Sequence, residues 1–279
     1  MPELPEVETI RRSLEKDIIG KTIFSIDIRE KKQFVGDPQK AIQQKVSAVQ
    51  RKGKVLSLKL SNDLYLSFHL KLTGQILFHH DKDNSLFKNE IPRTYTNKMP
   101  AADTRIIFYF QDNSVLYFND VRKFGWVKLT PQPEAPTSPD ILSKEFTIEY
   151  IKKKLSASRK PIKVILMDQE FIAGIGNIYA NDSLFIAGIL PTRKANSLDE
   201  KEIKTLYEAI KKVIAEGIEY RGSSAQDEMY IMPDSTKGAY QFHFKVYHRE
   251  NKPCFNCKTI IKRIKQGGRS SFYCEKCQK

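Results

Sequence analysis

"PQPEAPTSPD", residues 131–140, holds four prolines in ten positions. Proline lacks a backbone N–H and fixes φ, so this run can continue neither a strand ladder nor a helix, and it reads as a stiff, exposed linker. The hydrophobic period changes across it. Upstream, between 22 and 130, lie the short runs "TIFSIDI", "KVLSLKL", "LYLSFHL", "QILFHH", "RIIFYF", "SVLYFND" and "GWVKL". Several alternate with period two, as the half-buried strands of a sandwich or barrel do. Ahead of them, Val7, Ile10, Leu14 and Ile18 mark one amphipathic helix over 4–19, with Gly20 as its stop. The polar and charged stretch 81–104 reads as a long loop.

Downstream the pattern is helical. Helices are predicted over 147–155, 162–169 and 177–186, and a longer one starts from a capping box at Ser197 and Glu200. In the last of these, Ile203, Leu206, Ile210, Val213 and Ile214 form a single apolar face, which is core. The polar stretch from Gly222 to about 239 reads as a mobile loop, and "YQFHFKVYH" (240–248) as a strand. The expected class is α+β in two domains: an N-terminal helix with a β-sandwich over 1–130, the linker 131–140, a helical domain over 141–222, a loop over 223–239, and a cysteine-bearing finger over 240–279.

A chain of 279 residues can build two cores of ordinary size, and nothing in it demands oligomerisation, so a monomer is expected. Lys and Arg total 47 against 33 Asp and Glu, a net charge of +14 that points to a polyanion, nucleic acid first. No apolar run approaches the roughly 18 residues of a membrane span, and no apolar segment follows a basic start at the N-terminus, which suggests a cytoplasmic protein. All four cysteines, Cys254, Cys257, Cys274 and Cys277, are spaced C-x2-C-x16-C-x2-C. In a reducing compartment that spacing suits four thiolates around one structural zinc ion better than two disulfides.

"AGIGNIYANDSLFIAGILP" (173–191) holds a glycine-flanked turn that opens a helix at Asn177. The unpaired N–H groups of a helix start suit an anion such as a DNA phosphate. Arg159, Lys160 and Lys163 in the preceding "SRKPIKVILMD" add positive charge beside that turn. At the other end of the chain, "MPELPEVETI" (1–10) carries two prolines. Pro5 suits a first helical turn. Pro2 could do the same, or, once Met1 is removed, present a free secondary amine.

"PELPEVET" (2–9), "RKGK" (51–54), "HLKLTG" (69–74), "DVRKFG" (120–125), "GIGNIYANDSLF" (174–185), "KVYHRENKPC" (245–254) and "GRSSFYCEKCQK" (268–279) run in order along nearly the whole chain. Together they resemble the bacterial formamidopyrimidine-DNA glycosylases. The resemblance implies a helix-two-turn-helix domain after the sandwich and a C-terminal zinc finger. It also implies excision of oxidised purines, 8-oxoguanine and formamidopyrimidines, from double-stranded DNA, followed by cleavage at the abasic site through β,δ-elimination, in base-excision repair at the bacterial nucleoid.

By resemblance, Pro2 is the nucleophile that attacks the sugar C1′ and forms a Schiff base, Glu3 protonates the sugar oxygen, and Glu6 lines the pocket. An α-amine near pKa ~8 is roughly one-tenth unprotonated at pH 7, whereas a lysine near ~10.4 is so only a few times in ten thousand, which favours the terminal amine. Lys54 matches the lysine that assists elimination and contacts phosphate. Arg269, at the finger tip, matches the arginine that contacts phosphates beside the lesion and assists the second elimination. Leu72, Arg122 and Phe124 map onto the side chains that fill the gap left by an extruded base. Arg105, Arg159, Lys163 and Asn177 are expected at phosphates, and the loop 223–239 is expected to cap the lesion.

Departures from the family pattern cluster in the DNA-contacting loops. Leu72 stands where methionine is usual, Val121 and Lys123 where proline and arginine are usual, Asp103 at a histidine position, and Ser158 at a basic one. None touches Pro2, Glu3 or Lys54. An endonuclease VIII-like enzyme for oxidised pyrimidines would normally begin "PEGPE", against which Leu4 argues. A non-catalytic damaged-DNA-binding protein would need the zinc, the charge and the wedge residues but leaves Pro2, Glu3 and Lys54 unexplained.

Overall fold

The computed structural model describes residues 1–224 and 230–279. It resolves into two compact units, Met1–Ala135 with Tyr220–Gln241, and Pro136–Glu219 with Phe242–Lys279. Most of the stretch expected to form a separate capping loop thus packs with the first unit, while residues 225–229 at its centre lie outside the described residues.

The first unit begins with α1 (Leu4–Ile18). Its four-residue apolar spacing buries Val7, Ile10, Leu14 and Ile18 on one side, and Gly20, at φ +87°, turns the chain out of the helix. The strands are β1 (Ile23–Ile28), β2 (Phe34–Val35), β3 (Val46–Lys52), β4 (Val55–Leu60), β5 (Tyr65–His69), β6 (Gly74–His79), β7 (Leu86–Ile91), β8 (Thr96–Lys98), β9 (Thr104–Phe110), β10 (Val115–Asp120) and β11 (Trp126–Thr130). They form a four-stranded sheet in the order β1-β9-β10-β6, a five-stranded sheet in the order β2-β11-β5-β4-β3, and a separate hairpin of β7 and β8. The two large sheets share one core, in which Phe68 lies 5.7 Å from Phe108 and 6.3 Å from Phe118, ring centre to ring centre. All seven β-rich runs are strands. The short β2 and the charged β3, at opposite edges of their sheet, lack a strong alternating signal.

The stretch 81–104 is not a long loop. It contains the β7–β8 hairpin, whose Phe87 and Ile91 join Met99 against Leu77, Ile107, Val115 and Tyr117 on the outer face of the four-stranded sheet. That sheet is therefore covered on both faces, which explains why "QILF", "RIIFYF" and "SVLYF" are nearly continuously apolar.

The second unit contains α2 (Ile148–Ser156), α3 (Ile162–Leu166), α4 (Asn177–Ala187), α5 (Glu200–Glu219) and a terminal hairpin of β12 (Lys262–Gln266) and β13 (Arg269–Tyr273). Two local expectations need correction. The capping box of α5 is made by Asp199 and Glu202, which exchange backbone-to-carboxylate bonds of 2.8 and 2.9 Å. Ser197 instead turns its hydroxyl to the Lys194 carbonyl, because it lies in a short 3-10 turn before the helix. The stretch 240–248 is no strand: it opens with a 3-10 turn, Tyr240–His243, and the N–H groups of Lys245, Val246 and Tyr247 donate to the buried Asp182 carboxylate at 3.0–3.2 Å rather than to a neighbouring strand. With these revisions, the expected order stands: helix and β-sandwich, helical domain, four-cysteine finger.

Candidate functional site

Pro2 is buried immediately before α1, and Glu3 is its N-cap. Glu3 and Glu6 form a reciprocal capping box, in which the Glu3 N–H donates to Glu6 Oε2 at 2.8 Å. The helix start thereby fixes the segment that carries Pro2. Glu6 is fully buried, and its Oε1 accepts the N–H of Ser223 at 2.9 Å. Gly222, at φ +76°, is required there, because a Cβ would sit 2.7 Å from Glu6 Cγ and 2.8 Å from its Oε1. Tyr230 packs in the same place. Burial first, and then the Glu6 charge, push its phenol far above the ordinary range, so it stays neutral. The two ends of the first unit's chain thus meet around one carboxylate.

Lys54 is buried in the turn that joins β3 to β4, directly after Gly53. That turn is tied to α1: Arg51 Nε donates to Glu8 Oε2 at 2.9 Å and Arg51 Nη1 to the Gly53 carbonyl at 3.0 Å. His69 opens "HLKLTG", where the sequence alone assigns it no role. Burial, reinforced by the positive charges of Lys71 and Lys54, pulls its pKa down to about 3. Its Nδ1 accepts the Lys71 N–H at 3.0 Å, so the neutral ring carries its proton on Nε2, as a donor. Its place three residues before Leu72 was the available signal.

Leu72 lies half-exposed in the turn between β5 and β6, not in a strand core. Arg122 and Phe124 lie in the loop between β10 and β11, where Phe124 is 55% exposed and the Arg122 guanidinium sits 5.1 Å from its ring centre. Arg105, at the start of β9, gives Nε to the Asp120 carbonyl at 2.8 Å and Nη1 to the Ala102 carbonyl at 3.1 Å. Asp103 is buried, and its pKa is raised by that burial, with Asp120 adding and its own amide and Arg105 opposing.

In the second unit Asn177 is the first residue of α4, with Gly176 as N-cap. Arg159 is exposed. Lys163 requires correction: it is fully buried, and its Nζ donates to the Ser270 carbonyl at 2.6 Å. It holds the terminal hairpin rather than reaching solvent. Arg269 is exposed at the start of β13, after a two-glycine turn in which Gly267 and Gly268 have φ of +56° and +76°. The hairpin is anchored further by the Phe272 N–H, which donates to Asn181 Oδ1 at 2.7 Å.

The Sγ atoms of Cys254, Cys257, Cys274 and Cys277 all lie within 4.8 Å of one another. A tetrahedral ion with Zn–S near 2.3 Å implies sulfur–sulfur edges of about 3.8 Å, and Cys254 and Cys277 are 3.8 Å apart. The donor set therefore fits a structural metal ion. Four sulfur ligands would leave no position for water.

Three family models match the chain: the formamidopyrimidine-DNA glycosylase N-terminal domain over residues 1–127, the formamidopyrimidine-DNA glycosylase H2TH domain over 137–229, and a zinc finger found in FPG and IleRS over 251–279. A formamidopyrimidine-DNA glycosylase of Desulforamulus reducens is 41% identical, over 100% of this chain and 99% of its own. Among solved structures, a mutant Lactococcus lactis FPG bound to Fapy-dG containing DNA superposes with TM-score 0.85 at 28% identity, covering 100% of both chains. The Lactococcus lactis Fpg bound to DNA containing an abasic site superposes with TM-score 0.84 at 28% identity, covering 99% of both.

Proposed function

Since the chain belongs to the formamidopyrimidine-DNA glycosylase family, we propose that it is a base-excision-repair enzyme that removes 8-oxoguanine and formamidopyrimidines and then cleaves the abasic strand. The observation that carries this reading is the buried Pro2–Glu3–Glu6 constellation at the start of α1. Removal of Met1 frees the Pro2 nitrogen as a secondary amine. Its lone pair bonds to C1′, the C1′–N bond breaks with its electrons going to the base, and the proton that the Pro2 nitrogen then loses goes to the departing base, which leaves neutral. Glu3 supplies a proton to the sugar-ring oxygen as the C1′–O bond opens, leaving an iminium on Pro2.

Elimination follows. The iminium acidifies C2′, loss of a C2′ proton expels the 3′ phosphate, and loss of the C4′ proton from the resulting conjugated iminium expels the 5′ phosphate. Lys54 and Arg269 neutralise the departing phosphates. His69, neutral and donating from Nε2, adds a phosphate hydrogen bond beside Lys54. Leu72, Arg122 and Phe124 fill the vacated stack, and Asn177, Arg159 and Arg105 hold the backbone. Lys163 is assigned instead to supporting Arg269 through the Ser270 carbonyl. A zinc ion on the four cysteines would hold the finger in shape and take no part in the chemistry.

Intact-mass measurement and borohydride trapping on a duplex with an abasic site test the reading together. The expected result is a chain lacking Met1 and an adduct that maps to Pro2. Normal binding without an adduct would leave only a damaged-DNA-binding protein, and preferential excision of thymine glycol over 8-oxoguanine opposite cytosine would indicate a pyrimidine enzyme.

A further inference from the structure

The residues that the proposed function assigns to the gap in the duplex stand on two separate turns, and a single buried carboxylate ties both. Asp120, the last residue of β10, has no exposed surface. Its Oδ1 accepts the Thr73 hydroxyl and the Arg122 N–H, the latter at 3.2 Å. Its Oδ2 accepts the Gly125 N–H at 2.7 Å and Gln33 Nε2 at 2.9 Å. Thr73 follows Leu72, while Arg122 and Gly125 bracket the stretch that ends in Phe124. The Thr73 hydroxyl also accepts the Arg122 N–H, at 3.1 Å, and Gln33 Nε2 also donates to the Gly125 carbonyl, at 2.8 Å. Four donors meet two oxygens, and two of those donors belong to the loop itself.

Both turns need such a tie. Lys71, just before Leu72, has φ +49°, and Lys123, between Arg122 and Phe124, has φ +57°. Left-handed backbone at a residue other than glycine persists where surrounding bonds over-determine it. Asp120 supplies those bonds to the second turn directly and to the first through Thr73. The loop is also filled from beneath: a Cβ on Gly125 would meet Phe118 Cζ at 2.8 Å and Asp120 Oδ2 at 3.0 Å. The backbone of Asp120 takes part as well, since its carbonyl accepts Arg105 Nε at 2.8 Å.

We infer that Asp120 is the positioning residue of the wedge: its carboxylate holds Leu72, Arg122 and Phe124 in one register, so that they enter the base stack together when a lesion is turned out. The inference rests on the glycosylase reading, and it predicts a split between substrates. A base still in the stack needs the wedge. An abasic site has no base to extrude and needs it far less.

The experiment compares Asp120→Asn, Thr73→Val and Thr73→Ser with the wild type under single-turnover conditions. One substrate is a duplex with 8-oxoguanine opposite cytosine, and the other a duplex with a preformed abasic site. Asp120→Asn turns an amide N–H toward donors, while Thr73→Val removes only the link between the turns and carries the test should the first variant fail to fold. Misplacement of the wedge should lower excision of 8-oxoguanine on the order of tenfold to a hundredfold and abasic-site cleavage by no more than about threefold. A 2-aminopurine beside the lesion, which brightens as the stack opens, should lose its fast phase in both variants. Thr73→Ser keeps the hydroxyl and should restore both readouts. Equal losses on the two substrates with an unchanged 2-aminopurine signal would overturn the inference alone; a wild-type protein inactive on both would overturn the glycosylase reading beneath it.

Discussion

Replacing Glu8 by Gln should remove a pH-dependent part of the stability of the first unit. Glu8 sits on α1 with its carboxylate almost wholly buried, and it accepts Arg12 Nε at 2.8 Å, Arg51 Nε at 2.9 Å and Arg11 Nη2 at 3.1 Å. Burial pushes its pKa up, but the hydrogen bonds from Arg11, Arg12 and Arg51 outweigh that and lower it from 4.5 to about 2. The folded value lies below the unfolded one. The stabilisation is therefore complete above about pH 4.5 and disappears as the pH falls toward 2. Such a difference corresponds to about 3 kcal/mol at neutral pH, and screening at the half-exposed Arg12 reduces it toward about 2 kcal/mol.

Glu8→Gln preserves the shape and removes the charge. Urea unfolding can be followed by the emission of Trp126, the only tryptophan of the chain, which lies on β11 in the same unit as Glu8. Wild type and variant should differ by about 2–3 kcal/mol at pH 7 and converge only as the pH falls to about 2. Two curves that run parallel across the whole range would refute the electrostatic argument, because a lost packing contact does not titrate. Since Arg51 also holds the Gly53 carbonyl, the variant should loosen the turn that carries Lys54 as well.

Two further outcomes are expected. Gly222→Ala places a methyl against Glu6 at a left-handed backbone position, and thermal melting should show a loss of about 1–3 kcal/mol; an unchanged midpoint would mean that the Ser223–Glu6 contact is not tight. Cys254→Ser should weaken metal retention by more than about tenfold and mobilise the hairpin that carries Arg269, read by a zinc-sensitive dye and by DNA affinity; unchanged retention and affinity would contradict a structural metal there.

Much of this protein was legible from short-range pattern. Helix α1 could be read because its apolar residues recur at one period and its caps lie within four positions of its ends. The seven strong strands announced themselves by period or by composition, and the cysteine spacing indicated a four-sulfur site that the structure brings together. The proline-rich stretch separated two different periodicities. Errors arose where a local signal had two solutions. "SLDEKE" contains two overlapping capping boxes, and the one formed by Asp199 and Glu202 prevails. "YQFHFKVYH" alternates like a strand, yet its N–H groups are taken by Asp182, more than sixty residues earlier.

What the sequence determined by itself is the chemistry each segment can offer: a secondary amine one cleavage from the N-terminus, an acid beside it, a basic surface, and four thiols at metal-binding spacing. What only the tertiary structure decided is which polar side chains serve other residues. Lys163 looked like one more phosphate contact and is a buried support for the hairpin. Asp120, Thr73 and Gln33 carry no assigned role in the sequence, yet they form one network across separations of 47 and 87 positions. The physical reason is that a hydrogen bond between distant residues leaves no periodicity in the chain. Burial makes such a bond obligatory, and burial is a property of the packed molecule.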